Sequence, residues 1–252
     1  GSLSDSRMSI FRFKRFSLSN EKAAMKVNTD GVLLGAWVNL PRLYKPSNSP
    51  LKVLDIGTGT GVIALVITQR CEGNLLVTGI DIDPDSAQEA KENFANSPWS
   101  GVLTARHVSF QEFVAGCDSK SFDLIVSNPP FFIDSQKAPS LRRNTARHND
   151  TLEYEDIIDG TISILAPGGR LALILPVEES RVFERKANLK GLELTRLCLV
   201  RSLPDTPPKR ALMEFSFSNN LVDSAAAITT EELVIQTKSD FTREYKSLTC
   251  KF

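Results

Sequence analysis

Cysteine and histidine are scarce in this sequence, which has four cysteines and two histidines among its 252 residues. The cysteines are widely scattered, no CxxC pair occurs, and the histidines do not cluster. Zinc sites and disulfide scaffolds require such groupings, so we expect neither a bound metal nor a disulfide framework. Cysteine usage of this kind suits a reducing cytoplasm.

Long apolar runs are also missing. No segment approaches the roughly 20 apolar residues of a membrane-spanning helix. The opening GSLSDSRMSI lacks the apolar centre of a signal peptide. We therefore expect a cytoplasmic protein that is not bound to a membrane.

An excess of charge of one sign is the third missing feature, because 30 basic residues balance 30 acidic residues. A nucleic-acid partner would have to contact a local basic patch, since the overall charge attracts none. The chain is long enough to bury a large core, and its length favours one α/β domain.

Short apolar runs alternate with amphipathic stretches along most of the chain, a pattern typical of βαβ units. We predict a doubly wound α/β domain with a mostly parallel, seven-stranded sheet and helices on both faces. The link LPDTPP before the last strand is short and suits a hairpin, so that strand is expected to be antiparallel. The predicted strands are residues 51–57, 75–82, 101–108, 122–127, 168–176, 192–202 and 209–218.

The first predicted strand ends in DIGTGTGV, which places Gly57, Gly59 and Gly61 between a strand and a helix. A glycine-rich turn lets the backbone approach a bound cofactor, although a merely tight βα connection uses the same residues. The spacing is GxGxG and no Walker lysine follows, so neither a dinucleotide-binding turn nor a P-loop is indicated.

Asp81 stands 20 residues after Gly61, at the end of the second predicted strand. A carboxylate at that position can accept hydrogen bonds from both hydroxyls of a ribose. Since Pro84 follows, Asp81 can also be read as a helix N-cap. The glycine turn and the carboxylate together favour ribose binding.

The fourth predicted strand runs into the hexapeptide SNPPFF. Pro129 and Pro130 donate no backbone hydrogen bond and fix the chain in one shape, so they stop the strand abruptly. Phe131 and Phe132 follow where a loop is usually polar. They are either core anchors or a flat apolar surface offered to a ligand.

These three motifs, in this order, resemble those of the class I S-adenosylmethionine-dependent methyltransferases. The resemblance implies a Rossmann-like methyltransferase fold and S-adenosylmethionine as the cofactor. The residues that it implies as cofactor contacts are Asp55, Gly57, Thr58, Gly59, Gly61, Asp81, Ile82 and Asn128.

In that family the NPP-aromatic motif serves enzymes that methylate a planar nitrogen. The exocyclic nitrogen of a base is a poor nucleophile because its lone pair is conjugated with the ring. The resemblance implies that the Asn128 side-chain oxygen and the Pro129 carbonyl each accept one amino hydrogen, which turns the lone pair toward the methyl group. Pro130 would add rigidity, and Phe131 would stack on the flat base.

A more specific resemblance rests on four further segments together with the motifs above. They are FRFKRF, AMKVNTDGVLLGAW, ARH and the terminal FTREYKSLTCKF. In this combination the chain resembles the bacterial tRNA1(Val) (adenine-37-N6)-methyltransferase family from about Ile10 to Phe252. The resemblance implies N6-methylation of an adenine in tRNA by a monomer. It also implies that residues 1–50 form an extension that closes over the cofactor, ahead of a core at 51–219 and a linker and C-terminal segment at 220–252.

Within the extension, the resemblance implies that Lys26, Thr29 and Asp30 line the methionine end of the cofactor. Thr29 can equally cap the helix that begins there. Relatives of this fold often carry an acidic residue after the third strand, to bind the adenine amino group of the cofactor. Here Ser109 and Phe110 occupy that region, as a weak substitute and an apolar wall.

Three alternatives stay open at this point. RNA guanine-N2 methylation and protein glutamine-N5 methylation both use an NPP-aromatic motif, although residues 1–50 are short for the recognition domain of the second class. A non-catalytic binding module would keep the fold and the cofactor. A hydride-transferring dehydrogenase is disfavoured by the glycine spacing.

The segment SLRRNTARH carries three arginines and a histidine without an acidic residue, just after the NPPFF motif. A basic loop beside the pocket of a neutral protein indicates a phosphate clamp for RNA, although a solvated loop with an internally paired arginine has the same composition. The predicted RNA contacts are Arg12, Lys14, Arg142, Arg143, Arg147 and His148.

Overall fold

A mixed eight-stranded sheet forms the centre of the computed structural model, which describes residues 10–12, 17–19, 29–40, 49–130, 152–218, 228–237 and 240–252. Its strand order is β10-β8-β9-β7-β6-β3-β4-β5. The strands are β3 (Leu51–Ile56), β4 (Leu75–Asp81), β5 (Leu103–His107), β6 (Phe122–Ser127), β7 (Leu165–Pro176), β8 (Leu192–Arg201), β9 (Arg210–Phe217) and β10 (Thr229–Val234). A separate antiparallel ribbon pairs β1 (Ile10–Arg12) with β2 (Ser17–Ser19).

Helices cover both faces of the sheet, and each face has its own apolar cluster. In the described residues the helices are α1 (Thr29–Trp37), α2 (Val62–Arg70), α3 (Pro84–Ala95), α4 (Phe110–Ala115), α5 (Tyr154–Ile164), α6 (Val177–Leu189) and α7 (Arg243–Thr249). Strand β6 is buried along its whole length, as expected for a central strand covered on both faces. None of these helices is long and apolar enough to span a bilayer.

The predicted α/β fold with a mostly parallel sheet is confirmed, and β9 runs antiparallel to both β7 and β8 as expected. The number of strands differs from the prediction, because the described residues place eight strands in the sheet and not seven. The extra strand is β10, which lies in the segment read as a linker and C-terminal region. Its sequence TTEELV is mostly polar, which suits an edge strand that buries only Leu233 among its residues.

Helix α1 is built into the core. Its Gly31 and Gly35 lie against Val62 and Val66 of α2, so closely that an added Cβ would be 2.9 Å from a valine methyl in each case. The side chain of Arg70 donates hydrogen bonds to the carbonyls at the end of α1, at 2.8 and 2.7 Å. The predicted closure of residues 1–50 over a cofactor stays a prediction, but α1 itself is a fixed wall of the fold.

Partners from the far end of the chain also fix the end of α1. Arg196 donates to the carbonyl of Trp37 at 2.9 Å, and its guanidinium lies 3.9 Å from the centre of the Trp37 ring. The buried carboxylate of Glu214 accepts from the backbone N–H of Asn39 at 2.8 Å, while Glu231 accepts from the Trp37 indole at 3.4 Å. Strands β8, β9 and β10 therefore each hold this helix through one side chain.

The edge of the sheet at the carboxyl ends of its parallel strands has a step. Ser127, the last residue of β6, is in register with Leu173 of β7. Strand β7 continues for three residues beyond that row to Pro176, and β9, β8 and β10 extend with it. At about 3.3 Å per residue the β7–β10 half of the sheet rises about 10 Å above the end of β6.

Candidate active site

The candidate site lies where the strand order reverses. From β3 the chain adds β4 and β5 on one side, then crosses to β6 and β7 on the other side. Ligands of doubly wound sheets bind at this switch point, outside the carboxyl ends of the strands. The glycine turn after β3 and Asn128 after β6 both emerge there, from neighbouring strands.

Three glycines with positive φ shape the turn after β3. Gly57, Gly59 and Gly61 have φ of 68°, 57° and 87°. A Cβ on Gly61 would lie 2.5 Å from the ring of Phe94, so this position requires glycine for space as well as for conformation. A Cβ on Gly57 would meet no atom within 4 Å. The turn is therefore packed against α3 at Gly61 and open at Gly57.

The carboxylate of Asp81 is joined to this turn. Its Oδ2 accepts from the backbone N–H of Gly59 at 2.9 Å, and its Oδ1 accepts from that of Asp83 at 2.9 Å. Burial raises the pKa of this carboxyl, while the two backbone N–H groups act to lower it. Each oxygen retains a lone pair with which to accept a ligand hydroxyl.

Asp83, and not Asp81, caps α3. The Oδ2 atom of Asp83 accepts from the backbone N–H of Ser86 at 2.8 Å. The N-cap of α3 is therefore Asp83, and the alternative interpretation of Asp81 as the cap is wrong. Ribose binding by Asp81 stays a prediction, and the carboxylate is not needed as a helix cap.

Asp55 is a fully buried carboxyl beneath the glycine turn. Its Oδ2 accepts from the hydroxyl of Thr58 at 2.8 Å. Its Oδ1 has no hydrogen-bond partner among the described residues. Burial raises the pKa of Asp55 to about 7, and the nearby Asp81 carboxylate adds to the rise. A buried acceptor without a donor indicates a place for a donor or cationic group of a ligand.

Asn128 leaves the sheet at the end of β6, where Ser127 fixes the geometry. The buried hydroxyl of Ser127 donates to the carbonyl of Ile56 at 3.0 Å, which ties the end of β6 to the end of β3. Within the described residues no hydrogen bond holds the half-buried Asn128 side chain, so its amide is available to a ligand. Pro129 is buried and Pro130 is exposed, whereas Phe131 lies outside the described residues.

Asp30 approaches this edge from α1 and pairs with Arg210, the first residue of β9. Its Oδ2 accepts from Nε of Arg210 at 2.9 Å. Sequence reasoning singled out Asp30 and missed Arg210, because no local pattern connects residues 180 positions apart. Thr29 is exposed at the first position of the helix, and Lys26 lies outside the described residues.

The region after β5 contributes less open surface than expected. Ser109 caps α4 by accepting from the N–H of Glu112 at 3.1 Å, and Phe110 is 4 % exposed, packed against Gly160 of α5. Ile82, by contrast, is 45 % exposed. An apolar contact with adenine is therefore better provided by Ile82 than by Phe110, whose predicted role is untested.

The predicted RNA contacts fall mostly on residues that the structure does not describe: Lys14, Arg142, Arg143, Arg147 and His148. Arg12 belongs to β1, of which only the backbone is described, opposite Ser17 of β2. Among the described residues there is no group of three or more histidine, cysteine or acidic side chains that could hold a metal ion.

Comparison with known proteins identifies relatives of this chain. Residues 35–180 match the family model of the methyltransferase small domain. The chain is 43% identical over 207 residues to the tRNA1(Val) (adenine(37)-N6)-methyltransferase of Bacteroides fragilis, covering 82% of this chain and 84% of that protein. It is 37% identical over 242 residues to the enzyme of that name from Bacteroides thetaiotaomicron, covering 96% of each.

Among solved structures, a predicted O-methyltransferase from Agrobacterium tumefaciens superposes with a TM-score of 0.65. It shares 19% of residues and covers 88% of this chain, with 96% of its own length matched. At this identity the likeness supports the fold alone.

Proposed function

Because this chain belongs to the tRNA1(Val) (adenine(37)-N6)-methyltransferase family, we propose that it methylates N6 of an adenine in tRNA. The cofactor is S-adenosylmethionine, whose sulfonium carries an electrophilic methyl group. We assign the adenine to position 37 of a valine tRNA, as the names of the relatives state. A cytoplasmic location and a monomeric state belong to the same proposal.

The residues at the switch point fit this cofactor. The open face at Gly57 admits a ligand close to the backbone, and Asp81 offers its carboxylate to the two ribose hydroxyls. The unpartnered Oδ1 of Asp55 suits a donor from the cationic methionine end. We assign the methionine and ribose to these three residues, with Ile82 against the adenine.

Asn128 carries the chemistry in this proposal. Its side-chain oxygen and the Pro129 carbonyl each accept one hydrogen from the amino group of the target adenine. The two acceptors hold the nitrogen with its lone pair directed at the methyl group, and they stabilise the positive charge that develops as the N–C bond forms. The transfer would break the bond between the methyl group and the sulfonium sulfur, with S-adenosylhomocysteine as the leaving group. One amino proton would pass to solvent, so that the product is neutral N6-methyladenine.

The single observation that supports this mechanism best is that the Asn128 amide, beside the glycine turn, has no hydrogen-bond partner among the described residues. Ser127 holds the end of β6 against β3, so the amide is presented at the junction of the two strands. An acceptor positioned before the substrate arrives costs little reorganisation during the reaction.

The experiment that tests the function is nucleoside mass spectrometry. Unmodified tRNA1(Val) transcript is incubated with the protein and methyl-labelled S-adenosylmethionine, then digested to nucleosides. We expect N6-methyladenosine, and we expect its loss when position 37 of the transcript is changed to guanosine. Labelled N2-methylguanosine, or label on a protein substrate only, would contradict the assignment.

A further inference from the structure

The step in the sheet places a wall next to the candidate site. Strands β7 and β9 extend three residues beyond the row where β6 ends, and β8 and β10 extend four. The β8–β9 turn continues in the same direction. The wall therefore rises about 10 Å on the side of Asn128 opposite to β3 and β4. We call residues 202–209 the hairpin turn.

The hairpin turn is braced from inside. Thr206 donates from its hydroxyl to the carbonyl of Leu203 at 2.7 Å, and its own carbonyl accepts from Arg201 at 2.8 Å. The backbone N–H of Lys209 donates to Val200 at 2.8 Å. The turn also contains three prolines, Pro204, Pro207 and Pro208.

A second turn supports it from the edge of the sheet. The backbone N–H of Gln236, just after β10, donates to the carbonyl of Ser202 at 3.0 Å. Because these hydrogen bonds already fix the exposed turn, the protein would lose little conformational entropy when a partner binds there.

The hairpin turn presents one lysine that can contact a phosphate, together with exposed apolar surface. Residues 201–210 contain three basic side chains and one acidic side chain, Asp205. Arg201 and Arg210 form ion pairs with Glu232 and Asp30. Lys209 is exposed and forms no ion pair within the described residues, so its charge is available to a partner.

Apolar surface accompanies this lysine. Leu203 at the hairpin turn is 37 % exposed, and Phe241 in the turn after β10 is 46 % exposed. Phe241 packs on one side against Tyr245, with ring centres 5.2 Å apart. A supported aromatic ring of this kind can stack on an unpaired base.

We propose that the hairpin turn binds the RNA strand that flanks the target adenine. Strand β9 lies two strand spacings from β6, so Lys209 is displaced from Asn128 by about 10 Å across the sheet and by about 10 Å along the strands. A base extruded into a pocket leaves its neighbouring phosphates outside, and backbone contacts there fix its register. The inference rests on the proposed function, since it takes tRNA as the substrate.

Two variants test the inference on the full chain. Leu203→Asp sets a negative charge against the phosphates and should raise the KM for tRNA1(Val) transcript about tenfold. Lys209→Ala should lower the slope of log affinity for that transcript against log salt by somewhat less than one unit. Neither variant should change kcat or the Kd for S-adenosylmethionine, because neither residue lies at the switch point.

Matched controls stand at the opposite edge of the sheet, at the end of α6. Leu189 is 87 % exposed there, so we expect Leu189→Asp to leave RNA binding unchanged. Lys190 forms an ion pair with Asp159 at 2.6 Å, and we expect Lys190→Ala to remove that pair without changing RNA binding. If the wild-type protein methylates the transcript while both hairpin variants keep its KM and salt slope, the inference is wrong and the proposed function stands. If the wild-type protein makes no N6-methyladenosine, the proposed function fails first.

Discussion

The carboxylate of Asp81 accepts a hydrogen bond from the backbone N–H of Gly59 at 2.9 Å, which joins the end of β4 to the middle of the glycine turn. The bond orients the carboxylate at the mouth of the switch point. The neighbouring Asp83 caps α3, since its carboxylate accepts from the backbone N–H of Ser86. We therefore assign cofactor binding to Asp81 and helix capping to Asp83.

We predict that Asp81→Ala weakens S-adenosylmethionine binding by about 10- to 150-fold. This range corresponds to about 1.5–3 kcal/mol, the usual contribution of hydrogen bonds to a charged group. Titration calorimetry measures the change. Asp83→Ala is the control: it should lower the free energy of unfolding by about 1 kcal/mol through loss of the cap, with cofactor affinity almost unchanged. An Asp81 variant with wild-type affinity would remove this residue from the site.

We predict that, without cofactor and above about pH 7, the Asp55→Asn variant has a higher free energy of unfolding than the wild-type protein. The pKa of Asp55 rises from the ordinary 3.8 to about 7 on folding. Its protonated form is therefore favoured in the folded state, and the stability it contributes is present below about pH 4 and lost as the pH rises to 7. At about 1.4 kcal/mol per pH unit the loss is on the order of 4 kcal/mol.

Urea unfolding at pH 5 and pH 8, without cofactor, checks this prediction. The difference in unfolding free energy between Asp55→Asn and wild type should grow with pH. The same variant should bind S-adenosylmethionine more weakly, since it lacks the carboxylate. A difference that stays constant between the two pH values would show that Asp55 is ionised throughout.

We predict that Asn128→Ala slows single-turnover methyl transfer by about 10²–10³-fold, the typical effect of removing one preorganised polar group. The Kd for S-adenosylmethionine should change little, because the proposed mechanism has Asn128 act mainly on the base and only secondarily as a cofactor contact. Rapid-quench kinetics with saturating tRNA gives the rate. Turnover close to the wild-type rate is incompatible with the proposed mechanism.

We predict that Gly61→Ala lowers the free energy of unfolding by about 2–5 kcal/mol. The φ of 87° and the overlap with Phe94 at 2.5 Å act together. Gly101→Ala is the matched control, since a Cβ there meets no atom within 4 Å. Its effect should stay within about 1 kcal/mol, and equal losses in the two variants would contradict the steric argument.

We predict that the double variant Arg142→Ala, Arg143→Ala lowers the slope of log RNA affinity against log salt by up to about two units. Each arginine that contacts a phosphate contributes nearly one unit. Filter binding over a series of salt concentrations measures the slope, and cofactor affinity serves as the internal control. An unchanged slope would mean that the segment SLRRNTARH does not contact the RNA and that other residues bind it.

The sequence predicts that Gly61, Asp81 and Asn128 lie at one edge of the sheet, because strand ends alone determine that placement. Gly61 and Asn128 follow parallel strands and Asp81 ends one, and parallel strands end at the same edge. Their roles in binding stay predictions. What the sequence does not reveal depends on distant partners. The pairing of Arg210 with Asp30 and the burial of Phe110 under α5 arise only when separate segments pack together.

The eighth strand escapes prediction for a related reason. TTEELV has neither an apolar run nor strict alternation, since β10 lies at an edge and buries one residue. Its pairing with β8 supplies the hydrogen bonds that define it as a strand. The hydrophobic pattern of a strand reflects which of its residues are buried. A strand that is mostly exposed therefore has only a weak pattern.

The partners that hold α1 also set the order in which this protein can assemble during synthesis. The helix leaves the ribosome early, but Arg196, Glu214 and Glu231, which hold its end, are made more than 150 residues later. Until then α1 can pack on α2 and β7, but nothing among these three side chains holds its end. Contacts between such distant segments slow folding and prolong the exposure of apolar surface. We therefore expect the nascent chain to depend on chaperones until the last strands of the sheet are complete.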